Sequence, residues 1–226
     1  MSILSTSSVR RIEFECPFCG GKSDTTLQLR IDLQKEPAAL SRLFEGKLTE
    51  IACSKCGGSA VFDYSVELTD SENKLIFWLD PPNDPFSLKL NEGLCKADYR
   101  YRRVADSNTL REVVSVFRDN LDDGAMLLLK HLVAARILKD SGHSPLICNY
   151  EGLAGEATDA WLEFIIFTTE EGDPESVTVP LSMYIGIVGQ ISEIENVVMP
   201  VGNWVDWNDQ TAERLWMSIP RESAIS

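Results

Sequence analysis

The chain has 226 residues, 44% of them hydrophobic, and no apolar run long enough to cross a membrane as a helix. That is enough to bury a core in one large domain or two modest ones. Its formal net charge of −14 disfavours nucleic acid, whose phosphates an acidic surface repels, and favours a basic protein as partner.

Met1–Arg11 is rich in serine and lacks the apolar h-region of a targeting peptide, so it reads as a frayed start to a cytoplasmic protein. Arg11–Cys16 alternates as a strand and runs into Cys16-Pro17-Phe18-Cys19-Gly20-Gly21. The motif returns as Cys53-Ser54-Lys55-Cys56-Gly57-Gly58. Each Cys-x-x-Cys turn brings two sulfurs to one point, and the glycine after it frees backbone N–H groups to face them. Four thiolates on one ion are the donor set of structural Zn²⁺, with a rubredoxin-like iron site as the alternative. A thiol-redox site needs only one such loop, and disulfides do not suit a reducing compartment. With all four positions filled, the metal holds the fold and has no coordination site open for catalysis. Lys22 and Lys55 lie near enough in sequence to offset part of the negative charge of a tetrathiolate centre.

The 33 residues between Cys19 and Cys53 exceed the roughly 15–20 usual between the pairs of a zinc ribbon, so an inserted element is required. Pro37–Phe44 supplies it as a helix, with proline in its first turn and Leu40, Leu43 and Phe44 apolar. Leu48–Cys53 then reads as a strand. Ala60–Leu68 and Lys74–Leu79 form a hairpin about the polar turn Asp70–Asn73. Three prolines in Pro81–Pro85 break regular structure and make an exposed connection. In Tyr99-Arg100-Tyr101-Arg102-Arg103, a strand puts Tyr99, Tyr101 and Arg103 on one face and Arg100 and Arg102 on a solvated basic face. That pattern also occurs on nucleic-acid-binding surfaces, which gives an alternative function.

Helices follow. Thr109–Glu112 fits a capping box, with Leu110, Val113, Val114 and Phe117 at helical spacing. Asp122 and Asp123 start a second helix through Ala125–Leu138, apolar around much of its circumference, which Asp140–Pro145 ends. Leu146–Tyr150, Ala160–Thr169 and Ser176–Leu181 read as strands, with Glu170–Pro174 as a hairpin turn. Asn208 and Asp209 cap a short final helix carrying Ala212, Leu215 and Trp216. The expected fold class is α+β: a zinc-ribbon-like β region with an inserted helix, central helices, C-terminal antiparallel strands and a short final helix. The expected domains are 1–105 and an acidic 106–226 packed on it.

The first loop, with Arg103–Glu112 and Leu121-Asp122-Asp123, resembles the bacterial CpXC-domain family over most of the first 130 residues. The resemblance implies a bacterial metal-binding module and no particular activity. Ser54 departs from the family's Cys-Pro-x-Cys pattern, and metal ligation needs only the sulfurs.

Charge divides the chain more sharply than motif does. Residues 1–105 hold 14 Lys+Arg against 15 Asp+Glu, and residues 106–226 hold 7 against 20. No lysine or arginine occurs between Lys139 and Arg214. The expected surface for a basic partner is Glu170, Glu171, Asp173 and Glu175 at the hairpin, with Trp204 and Trp207 beside Asp206 as anchors in a charged rim. An immunity-type inhibitor of a nuclease toxin fits that charge. An enzyme is disfavoured: only His131 and His143 are present, His131 reads as structural, no spacing selects a carboxylate pair, and no catalytic residue is assigned. Cys95 and Cys148 read as small packed residues.

Overall fold

A computed structural model describes residues 8–86, 95–142, 147–156, 159–167 and 173–220. The fold is α+β, and the chain divides into two compact units, Met1–Arg111 with Val201–Trp204, and Glu112–Pro200 with Val205–Ser226.

In the first unit β1 (Val9–Glu15) and β2 (Lys22–Gln28) form an antiparallel hairpin whose tip is the first cysteine loop. A second hairpin of β4 (Glu50–Ala52) and β5 (Ser59–Val61) carries the second loop. Between the hairpins come β3 (Arg30–Asp32) and α1 (Ala38–Phe44), the inserted helix, which buries Ala39 and Leu43. The expected strand Ala60–Leu68 is two strands: Ala60 pairs with Ile51, and β6 (Val66–Asp70) pairs with β7 (Leu75–Leu79). The break has a cause. Ser65 is fully buried, with its N–H bonded to Asp84 and its hydroxyl to Asp80, so the chain is pinned away from both ladders there.

β8 (Arg100–Val104) runs parallel to β7 in a five-stranded sheet ordered β12-β8-β7-β6-β3, which β12 (Trp204–Asp206) enters at Trp204. Its side chains alternate as expected, but the Arg100/Arg102 face is not an open basic face, because Arg102 is buried and Arg100 is half-buried. Arg102 is among the largest fully buried side chains and donates from Nη1 to the Tyr101 carbonyl at 3.0 Å. The Arg103 guanidinium lies 4.7 Å from the Trp78 ring centre and 5.8 Å from that of Trp204. Tyr99 and Tyr101 are buried. Tyr99, Tyr101 and Arg102 are core residues, and the Arg103 guanidinium lies against Trp78 and Trp204, so these groups are not presented as a stacking platform.

The division between units falls inside α2 (Ser107–Arg118). Its cap is not the expected Thr109–Glu112 box. Asp106 accepts from the Thr109 N–H and hydroxyl, both at 2.8 Å, so the helix starts earlier and Glu112 lies within it, turned inward. In the second unit α3 (Asp123–Ser141) starts at Asp122, which accepts from the Ala125 N–H, and ends at Gly142 in the left-handed conformation. Ala125 through Leu129 are buried without interruption, whereas the C-terminal half of the helix emerges toward solvent, Leu138 included.

β9 (Ile147–Ala154), β10 (Trp161–Phe167) and β11 (Glu175–Pro180) form an antiparallel sheet in the order β11-β10-β9. Leu162, Phe164 and Ile166 fill its inner face. The stretch after Pro180 holds two helices that the sequence reading left unassigned, α4 (Leu181–Ile191) and α5 (Glu195–Val198). α6 (Asp209–Ser218) is capped by Asn208, which accepts from Thr211 N–H, and buries Ala212 and Leu215. α3 packs on α4, α6 and β9. Among the described residues, no helix is long and apolar enough to cross a membrane.

One buried polar cluster organises this unit. The Glu112 carboxylate accepts from Lys130 Nζ and from the Tyr150 N–H, each at 2.6 Å. The Lys130 ammonium lies 4.7 Å from the Trp207 ring centre, and the Tyr150 hydroxyl donates to Asp119. One carboxylate thus ties α2, α3 and β9 together.

Candidate metal centre

The two cysteine loops fold alike because their sequences supply the same turn twice. In the first, Gly20 N–H bonds to the Cys16 carbonyl and Cys16 N–H to the Gly21 carbonyl. In the second, Gly57 and Cys53 with Gly58 repeat both bonds. Gly20 and Gly57 sit at φ +64° and +72°, where a Cβ would strain the turn. Phe18 N–H points at Cys16 Sγ and Lys55 N–H at Cys53 Sγ, both at 3.4 Å.

The four Sγ atoms of Cys16, Cys19, Cys53 and Cys56 lie within 4.8 Å of one another. Cys16 and Cys56 are 3.7 Å apart, and Cys19 and Cys53 are 4.0 Å apart. Ligands at 2.3 Å from a tetrahedral ion stand roughly 3.8 Å from each other, so the sulfurs already have the spacing of a tetrathiolate shell. The titration of Cys53 and Cys56 fits the same use. The N–H groups of Cys56 and Lys55 pull the Cys53 thiol down to about 6. At Cys56 the Gly58 amide favours the thiolate, but the crowding of Cys16, Cys19 and Cys53, together with burial, pushes the thiol up to about 12. Four sulfurs this close cannot all ionise by themselves. A bound cation makes it possible.

The loops also lock onto each other. A Cβ at Gly58 would meet the Phe18 ring at 2.8 Å, and a Cβ at Gly21 would meet the Lys55 chain at 3.1 Å, so each loop's third residue covers the other's second glycine. Buried Ser23 bonds to both the hydroxyl (2.8 Å) and the N–H (3.0 Å) of Ser54. Sequence reading missed these contacts, although the repeated Gly-Gly was their signal. Of the two lysines expected near the sulfurs, Lys55 is there, whereas Lys22 is exposed and paired with Glu13 at 3.0 Å.

Glu170 and Glu171 lie outside the described residues; Asp173, Glu175 and Asp206 are exposed. Trp204 is half-buried, its ring edge-on to Trp78 and Tyr101 at 5.3 and 5.0 Å. Trp207 is 2% exposed and donates its indole N–H to the Asp123 carbonyl. It is a core residue and offers no anchor. Of the three residues expected on the final helix, Ala212 and Leu215 are buried and Trp216 is exposed. His131 is half-buried in α3, and His143 lies outside the described residues. Cys95 and Cys148 are half-buried, and burial pushes the Cys148 thiol up to about 11.

Fold and site define an α+β protein with a paired-loop, four-cysteine centre that is compatible with metal binding. Residues 14–130, more than half of the chain, match the family described as CpXC protein, and the chain belongs to that family. The match starts just before the first cysteine loop and ends at Lys130, inside α3. Comparison with curated proteins and with solved structures returned no match.

Proposed function

We propose that the four cysteines hold one structural zinc ion in a zinc-ribbon-like arrangement, and that the protein is a non-catalytic, cytoplasmic interaction module. The observation that carries the metal reading is the convergence of Cys16, Cys19, Cys53 and Cys56 within 4.8 Å. An ion bound by all four has no position left for water or substrate. Zinc takes precedence over iron because thiolate chemistry and a redox-silent structural role both suit it.

The acidic C-terminal half is the recognition surface, and its partner is a basic protein. Exposed Glu151, Asp173, Glu175, Asp206 and Glu213 come from a stretch that contains no lysine or arginine between Lys139 and Arg214. A field of one sign speeds encounter with a basic partner and weakens with salt. Inhibition of a basic toxin, in the manner of an immunity protein, is the form of binding this charge suits best.

Two measurements test the proposal. Elemental analysis of the purified protein is expected to give one zinc per chain; iron, or no metal, would overturn the metal reading. Capture from host lysate is expected to retain one basic protein at low salt and lose it at high salt. With that partner in hand, neutralising Glu170, Glu171, Asp173 and Glu175 together is expected to slow association markedly, and an unchanged on-rate removes the hairpin from the interface.

A further inference from the structure

The outer face of α6 places large exposed apolar side chains beside exposed carboxylates. Trp216 is 48% exposed and Met217 is 71% exposed, side by side on a helix whose Ala212 and Leu215 are buried. Asp209 and Glu213 are exposed on the same face, because Glu213 stands four residues after Asp209 and three and four residues before Trp216 and Met217. An indole with a carboxylate one turn away suits an arginine side chain, whose guanidinium can stack on the ring while its N–H groups reach the carboxylate. The local cation does not fill that role: Arg214 points its Nη2 back to the Thr211 hydroxyl at 2.8 Å. α5, which packs beside α6, adds Val197, 81% exposed. Tryptophan and methionine are the residues enriched at the centres of interfaces, and carboxylates at the edge select a cationic occupant.

We infer that this face of α6 is the docking surface for the basic partner, with Trp216 receiving an arginine side chain that Glu213 holds by its N–H groups. The inference rests on the basic-partner reading above and assigns that reading an address.

Nona-arginine peptide serves as the probe, titrated into the full chain at low salt while the indole N–H resonances are followed by ¹H–¹⁵N NMR. The Trp216 resonance is assigned by its absence from Trp216→Phe. Trp216 is expected to move the most of all the indoles. Trp216→Ala is expected to weaken binding about tenfold, with Trp216→Phe restoring part of the loss and Glu213→Gln weakening it about threefold. Glu72→Gln, which neutralises an exposed carboxylate of the first unit, is expected to change it less than about twofold. Unaltered thermal melts show that the variants fold. If the peptide binds wild type and Trp216→Ala equally, this surface is overturned while the basic-partner reading stands. If it binds neither, both fall. A Trp216 resonance that moves with protein concentration alone assigns the face to a second copy of this chain and also overturns the inference.

Discussion

Glu112 shows how much one side chain can fix. Its carboxylate is buried with Lys130 and takes the Tyr150 N–H, so it satisfies an ammonium and a backbone donor at once. Removing Glu112 leaves the mostly buried Lys130 ammonium without its carboxylate and the Tyr150 N–H without this acceptor, a loss of about 3–5 kcal/mol. Glu112→Ala is therefore expected to lower the urea midpoint by an amount corresponding to that range, and the double variant Glu112→Ala/Lys130→Met to recover part of it. Cys148 offers a chemical readout of burial. With its thiol held near 11, its thiolate at pH 8 is scarce, and alkylation is expected to run on the order of a hundredfold slower than at a free cysteine. Quantitative mass spectrometry after a timed iodoacetamide pulse measures that rate directly.

At the scale of elements, the proposed zinc bears on how the two cysteine hairpins are held. β1–β2 and β4–β5 are isolated two-stranded ladders, a length of sheet that is marginal in water unless something else fastens it. A tetrathiolate zinc contributes on the order of 10–16 kcal/mol in small zinc domains, enough to supply that fastening. Cys16→Ser is expected to abolish stoichiometric metal and expose the N-terminal hairpins to protease. The pH dependence has a definite sign. Metal needs thiolates, so it holds their folded-state pKa values below those of the unfolded chain. The stability it adds is present at neutral pH and is lost as pH falls, with zinc release expected near about pH 5 by a chelator-dye assay.

The same scale shows what could be read in advance. The cysteine quartet, the inserted α1 and the ends of α3 and α6 were legible because each has a local chemical signature: paired Cys-x-x-Cys, a proline start, Asp122 and Asn208 as caps. α4 was not legible. Leu181–Ile191 carries no charge and contains Gly186 and Gly189, so neither amphipathic contrast nor propensity marks it as a helix. Packing against α3 is what holds it. Tyr99–Arg103 was misread for the opposite reason. Its alternation was correct, but alternation cannot reveal that strands lie on both sides of β8 and that Arg103 is stacked on two tryptophans.

For the whole molecule the uneven charge has a cost as well as a use. Residues 106–226 carry 20 acidic against 7 basic side chains, and like charges at that density oppose compaction. Screening relieves the repulsion. Raising salt from about 0.01 to 0.15 M, where the Debye length falls to roughly 8 Å, is expected to raise the melting temperature of the second unit by a few degrees while slowing partner association. Calorimetry at the two salt concentrations tests the first half. A melting temperature that falls with salt would show that attractive pairs outweigh the repulsion.

The family match stops at Lys130, but α3 runs on to Ser141, and the elements that pack on α3, namely α4, α6 and β9, all lie past the match. Tyr150, whose N–H the Glu112 carboxylate takes, also lies past the match. A fragment cut at Lys130 would keep all four cysteines of the candidate metal centre yet present a run of bare leucines and a carboxylate missing one of its donors. Such a piece is expected to bind metal and still aggregate. The stretch by which this chain is recognised is shorter than the stretch that must fold.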